Sequence, residues 1–196
     1  MKFKDFGVLL SISAILGINV IATKALAQDF PSITFGNATG TGGCIVEEQL
    51  PGSDGRTLSI TLDNMSAREG QRQRCILRVE TFIPSGFFVQ NVQVLYQGST
   101  EVGPRSRGVS LSRSYIFAGG ALGISRARPQ ITQFRFSNSL FQEQDDLLVA
   151  SASCGGQGQL GINMIAQSSP GSSIVVDTAD LNAGDVVFRL DIAPCF

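Results

Sequence analysis

The sequence contains no histidine and no tryptophan, and its only lysines, Lys2, Lys4 and Lys24, sit near the amino terminus. Without histidine, neither a Ser-His-Asp nor a Cys-His nucleophile can be assembled. Without lysine after Lys24, Ser-Lys dyads and Schiff bases are excluded from the rest of the chain. No G-x-x-x-x-G-K-[ST] loop is present. The glycine-rich CGGQGQLG (154–161) leads into a strand pattern rather than a helix, so no helix N-terminus awaits a phosphate there. No cofactor is expected. Carboxylate chemistry is what remains, as in glycoside hydrolysis. The adjacent pairs Asp145-Asp146 and Glu47-Glu48 would point to opposite faces of a strand and read as solvated acids.

The lysines that do occur flank a leader. Lys2 and Lys4 form a positive start, GVLLSISAILGINVIA is an apolar run of about 16 residues, too short for the ~20 that span a bilayer, and Ala25-Leu26-Ala27 is a small-x-small cleavage pattern. Residues 1–27 are expected to be a cleaved signal peptide and 28–196 one exported domain, extracellular or periplasmic, with no transmembrane anchor in the mature form. In that mature chain 12 arginines face 15 acidic residues, a small acidic excess.

Four cysteines lie beyond the leader: Cys44, Cys75, Cys154 and Cys195. None is close enough to another for a zinc pair, and no histidine could complete one. An even count in an exported chain points to two disulfides. Three pairings are possible. The expected one is Cys44–Cys154 with Cys75–Cys195, because Cys75 opens a strand pattern and Cys195 closes one. Cys195, next to the last residue, then acts as a clasp on the terminus.

Period-2 patterning recurs and period-3.6 patterning does not. Strands are expected at TLSITLD (57–63), CILRVETF (75–82), FFVQNVQVLY (87–96), VSLSRSYIF (109–117), ITQFRFS (131–137), LLVASAS (147–153), QLGINMIAQ (159–167), SSIVVDT (172–178) and DVVFRLDI (185–192). Turn-rich PGSDGR, PSG, SSPG and LNAG separate several of them, and NATGTGG (37–43) reads as a flexible lead-in to Cys44. Leu58, Ile60, Leu62, Leu77, Val79, Leu111, Phe117, Ile162, Met164, Val187 and Leu190 are the expected core. The predicted fold is all-β, a single antiparallel β-sandwich or related barrel.

Charge is unevenly distributed along the chain. From Pro104 to Phe136 there are six arginines and no acid, while Glu143 to Asp191 holds seven acids and only Arg189. Arg105 and Arg107 would share a strand face, as would Arg126 and Arg128, and these four are the candidate anion-binding residues. A weaker candidate calcium site is the oxygen-rich DTADLNAGD (177–185), with Asp177, Asp180 and Asp185. Asn37 and Asn64 head N-glycosylation patterns.

The ordered motifs resemble a family of secreted four-cysteine proteins, domain of unknown function 4360. Cys44 follows a glycine-rich lead, Arg72 and Arg74 precede Cys75, and that strand ends at Pro84-Ser85-Gly86. Tyr96-Gln97-Gly98 is similar to the family's Tyr-Arg-Gly, and Tyr115 to Gly119 to its Tyr-Tyr-Phe-x-Gly. Cys154-Gly155 with Leu160-Gly161-Ile162-Asn163, then Val176-Asp177 and Asp180, and finally Cys195 complete the set. The resemblance implies a secreted β-rich domain and lends no catalytic residues. The expected function is therefore non-enzymatic binding or a structural role at the cell exterior. The partner would be an anionic polysaccharide, a lipid headgroup or another cell-surface component, and not nucleic acid. The alternative is a carboxylate-based hydrolase of polysaccharide.

Overall fold

A computed structural model describes residues 31–119, 128–149, 153–176 and 186–196, which belong to one compact unit, Pro31–Phe196. The expected leader, Arg126 and the candidate calcium ligands Asp177, Asp180 and Asp185 lie outside the described residues. Twelve strands are described: β1 (Thr34–Thr41), β2 (Ile45–Pro51), β3 (Thr57–Asp63), β4 (Ser66–Arg68), β5 (Arg72–Ile83), β6 (Phe87–Val102), β7 (Val109–Ala118), β8 (Gln130–Phe134), β9 (Asn138–Leu148), β10 (Gly156–Ser168), β11 (Ser172–Val175) and β12 (Val186–Pro194).

All pairings are antiparallel. One sheet runs β1-β5-β10-β7-β8 and the other β2-β3-β12-β6-β11-β4, with β9 also on β6. In the second sheet several short strands are halves of longer ones. Thr100 of β6 pairs with Asn138 of β9 and with Ile174 of β11, so β9 and β11 occupy opposite edges of β6. The same reasoning puts β12 opposite β9, since Val92 pairs with both Leu147 and Leu190. Strands β11 and β12 are therefore collinear, interrupted between Val175 and Val186. Strands β3 and β4 run beside them and break at Asn64, whose φ of 66° kinks the chain. The two sheets close face to face on inward Leu, Ile, Val and Phe, and the chain is an all-β sandwich with two disulfides.

Alternation does the sorting. Residues 57–63 form the strand their pattern predicts, with Leu58, Ile60 and Leu62 buried. Ten of the 11 expected core residues are buried; the exception is Val187, half-exposed because Val186, Phe188 and Leu190 hold the inward positions of β12. A period of two cannot place both Val187 and Leu190 inside.

Two expectations about local structure are corrected. Residues 37–41 of the glycine-rich lead are strand, the second half of β1, where Ala38 lies opposite Val79 and Thr41 opposite Ile76. Leu147 and Leu148, expected to open a strand, instead close one: β9 begins at Asn138 and ends at Leu148, and residues 150–152 lie outside the described residues. Its inward face is Phe141, Asp145 and Leu147, and the polar member hid the alternation.

The expected cysteine pairing is also corrected. Cys44 bonds Cys75 and Cys154 bonds Cys195, with Cα atoms 5.2 Å and 6.0 Å apart. Gly42 and Gly43, at φ 85° and 121°, reverse the chain after β1, and this lays Cys44 beside Cys75 on the neighbouring strand. Cys75 does begin a strand pattern and Cys195 does follow one, but β5 and β12 belong to different sheets. The partner of Cys195 is instead reached through the tight turn at Gly86, which receives the Cys195 N–H at 2.8 Å, while Phe87 receives that of Gly155 at 2.7 Å. The terminal cysteine is a clasp, fastening the end of β12 to the start of β10.

Candidate functional site

Three connections meet at one end of the sandwich. They are the β4–β5 turn (69–71), the β6–β7 segment (103–108) and the β10–β11 turn (169–171). Pro104 suits the second position of a turn in which the Ser106 N–H reaches the Gly103 carbonyl at 3.0 Å. Gly108 has φ 90°, and a Cβ there would stand 2.2 Å from the Phe134 carbonyl oxygen, so only glycine fits.

Serine hydroxyls tie these connections together. The Gly108 carbonyl accepts from the Ser169 hydroxyl at 2.7 Å, the Ser172 hydroxyl at 3.2 Å and the Ser169 N–H at 3.2 Å. The Ser106 and Ser169 hydroxyls are 2.7 Å apart. Ser168 accepts from the Gly70 N–H at 3.1 Å and donates to the Gln71 carbonyl at 3.3 Å. Ser168 and Ser172 are buried, so these bonds are shielded from water and hold the backbone in one arrangement.

Between these connections opens a cavity of about 730 Å³. Arg105 and Arg107 line it, with Ser110, Gln133, Gln167 and the backbone of Gly70 and Gly108. No carboxylate lines it, and among the described residues neither arginine forms an ion pair. Both are exposed. The site offers two exposed cations surrounded by amides and hydroxyls that donate and accept.

The structure brings Arg105 and Arg107 together and places Arg128 apart from them, while Arg126 lies outside the described residues. Arg105 and Arg107 converge, though on the β6–β7 connection rather than on a strand. Arg128 precedes β8 at its other end: Phe134, not Gln130, lies opposite Val109, the residue that follows the cavity segment. Four steps of strand, about 13 Å, separate the level of Val109 from that of Gln130, and Arg128 lies two residues further on in sequence.

Arg113, a fourth member of the basic segment, is not at the surface. It is buried beneath β8 and β9 and donates to Asp145 through Nε at 2.7 Å and Nη2 at 3.0 Å. Its Nη1 reaches Thr132 at 3.0 Å and the Leu111 carbonyl at 3.2 Å, and its guanidinium lies 5.2 Å from the Tyr96 ring centroid. The Tyr115 hydroxyl donates to Asp145 Oδ2, the oxygen that Arg113 Nε also holds, and Tyr96 completes the chain with a 2.7 Å bond to Tyr115. Asp145 is thus no solvated acid, a correction to the sequence reading. Its carboxylate is fully occupied by Arg113 and Tyr115, whereas Asp146, Glu47 and Glu48 are exposed. Burial, reinforced by the neighbouring tyrosine and carboxylate, raises Tyr96 well above the usual phenol range; Tyr115 is raised by burial and by its bond to Asp145.

Ser110, Gln133 and Gln167 escaped the sequence reading, because a lone polar residue on a strand signals only an outward position. No group of histidine, cysteine, aspartate and glutamate able to hold a metal occurs among the described residues.

No protein-family model matches the chain, and neither does any curated protein sequence. Solved structures show a distant likeness. A carbohydrate-binding module in complex with beta-1,4-galactotriose is 8% identical with a TM-score of 0.34, over 80% of this chain and 88% of its own. A carbohydrate-binding module that recognises mannan is 10% identical with a TM-score of 0.32, over 84% and 100%. The enzymatically active domain of tailspike protein 4 of bacteriophage CBA120 is 12% identical with a TM-score of 0.31, over 80% of this chain and 19% of its own. At such scores the likeness is one of outline, and the sandwich stands on the strand pairing described above.

Proposed function

We propose that the protein is an exported, non-catalytic β-sandwich that binds an anionic glycan in the cavity of Arg105 and Arg107, and that it belongs with the secreted four-cysteine proteins its motifs resemble. The observation that carries the reading is the convergence of two arginines on one preformed concave site where, among the described residues, neither is in an ion pair and no carboxylate lines the wall. A guanidinium fork suits a sulfate or uronate group. Ser110, Gln133 and Gln167 suit the sugar hydroxyls around it, since amides and hydroxyls both donate and accept. The hydroxyl bonds of Ser106, Ser168, Ser169 and Ser172 set the site before a ligand arrives, which lowers the ordering cost of binding. Export is supported by the leader and by both disulfides.

Titration calorimetry with heparin, dextran and anionic lipid vesicles tests the reading. Heparin is expected to bind, more weakly as salt rises, while dextran and vesicles do not. Arg105→Ser with Arg107→Ser should weaken heparin binding several-fold and leave the melting temperature nearly unchanged, because both side chains are exposed. Unaltered heparin binding by that variant, or equal binding of dextran, overturns the proposal. Binding to vesicles with none to heparin would transfer the site to a lipid headgroup.

A further inference from the structure

The cavity does not end at its own rim. Gln167 and Ser110, two of its lining residues, lie opposite each other on the outer face of the five-stranded sheet, and Gln167 in turn lies opposite Arg72 of β5. Outward residues of β5 are Arg72, Arg74, Ile76, Arg78, Glu80 and Phe82, because Cys75, Leu77 and Val79 point into the core. Three of the first four are arginines, spaced about 7 Å and about 13 Å apart along the strand. Strand spacing is ~5 Å, so Arg72 begins this row one strand away from the cavity wall.

The neighbouring strands supply groups that suit a hydroxylated chain. Arg74 Nε donates to Asn163 Oδ1 at 2.6 Å, and Asn163 Nδ2 donates to the Ser114 hydroxyl at 3.2 Å, linking three strands across the face. Gln159, Gln167, Ser110 and Ser112 share that face. Its strands carry one acid, Glu80, at the end far from the cavity, and among the described residues Arg72, Arg74 and Arg78 form no ion pair.

The opposite outer face has the reverse balance. Asp63, Glu101, Asp146 and Asp191 point outward there with Arg68 and Arg189, and Arg189 is within 3.7 Å of Asp191. Among the described residues the charge asymmetry thus also divides the two faces of the sandwich.

Resting on the anionic-glycan reading, we infer that the site is extended: the outer face of the five-stranded sheet is a track on which Arg72, Arg74 and Arg78 engage successive anionic groups of a linear polysaccharide whose end or branch occupies the Arg105–Arg107 cavity. Charge complementarity chooses the occupant. A single anion would need only the cavity, whereas three more arginines without an ion pair among the described residues, along about 20 Å of strand beside the two of the cavity, require a polymer with repeated charges. Exposed polar amides and serines between them favour a sugar chain.

Heparin oligosaccharides of graded length test this. For the native protein, affinity is expected to rise from the disaccharide to the dodecasaccharide beyond the statistical gain of repeated ends. The triple variant Arg72→Ser, Arg74→Ser, Arg78→Ser should bind the disaccharide as the native protein does and lose about tenfold on the dodecasaccharide, two- to threefold for each exposed charge. An unchanged dodecasaccharide affinity in that variant overturns the track while leaving the cavity reading intact. Loss of disaccharide binding in the Arg105→Ser, Arg107→Ser variant supports the cavity independently, and its retention there overturns both. Single-stranded DNA of matched charge serves as the competitor: displacement as effective as by heparin would overturn the assignment to a glycan.

Discussion

Arg113 of β7 and Asp145 of β9 form a buried, two-pronged ion pair between the two sheets, with N–O distances of 2.7 Å and 3.0 Å. The pair lies at the level of Gln130 on β8 and of Val94 on β6, away from the 134–138 connection between the sheets. It fastens the margin of the sandwich that β8 and β9 cover. A charged pair in this place needs further polar partners, and Thr132 and the Leu111 carbonyl supply them to Arg113, while Tyr115, itself bonded to Tyr96, supplies one to Asp145. Among the described residues no buried side-chain polar atom lacks a partner.

Removing one member should therefore cost far more than removing both. Arg113→Ala leaves a buried carboxylate without its cation, with Tyr115 as its remaining donor, and the expected loss is about 3–5 kcal/mol. The paired substitution Arg113→Met with Asp145→Leu removes both charges at similar volume and should be more stable than either single variant. Urea unfolding of the three variants measures the coupling. Single variants within about 1 kcal/mol of the native protein would mean that water reaches the pair after all.

The same cluster predicts a response to alkali. Tyr96 and Tyr115 are the only tyrosines in the chain, and both are held protonated by burial and by the adjacent carboxylate. Their folded values lie above the unfolded value of about 10, so the stability they contribute is fully present below pH ~10 and is lost as pH rises beyond it. Absorbance titration should show no phenolate in the native protein near pH 10, then appearance of both phenolates together with unfolding at higher pH. A reversible titration near pH 10 in a folded protein would contradict this burial.

Disulfide mapping checks the connectivity directly. Proteolysis under non-reducing conditions should yield one peptide pair joining Cys44 to Cys75 and another joining Cys154 to Cys195, with no thiol open to alkylation. Sequence separations of 31 and 41 residues make each bond worth about 4 kcal/mol through the unfolded chain. Replacing either pair with serine should lower the denaturation midpoint substantially. Recovery of a Cys75–Cys195 peptide would restore the pairing expected from the strand ends.

The fold was legible because inward and outward residues alternate over most strands, and a period of two has few uses other than a half-buried strand. What stayed hidden has a common cause in polar residues that point inward. Arg113 occupies the inward position between Leu111 and Tyr115, so the pattern of β7 places it in the core, yet composition suggests a surface cation. Its partner Asp145 hides the alternation of β9 in the same way. Glycine-rich β1 carries almost no apolar signal because it is an edge strand held by pairing to β5 and by the bond from Cys44. The candidate site was half legible. Arg105 and Arg107 lie two residues apart and stay together, but Arg72, Arg74 and Arg78 join them only through the register of β5 with β10, which no local pattern encodes.

The glycines around the cavity separate its construction from its charge. Gly108 and Gly171 both have positive φ, 90° and 72°, and both lie in the connections that enclose the site. A Cβ at Gly171 meets nothing within 4 Å, so Gly171→Ala should cost only the conformational penalty, about 1 kcal/mol. At Gly108 the same atom would stand 2.2 Å from the Phe134 carbonyl. The β6–β7 connection must then move away from β8, pulling its carbonyl from Ser169 and Ser172. Gly108→Ala should cost clearly more, about 2–3 kcal/mol with the backbone strain included, and should weaken heparin binding although both arginines remain. Gly171→Ala, as the matched control, should bind heparin nearly as the native protein does. Equal melting temperatures and equal heparin affinities for the two variants would show that the Arg105–Arg107 segment does not depend on its seat against β8.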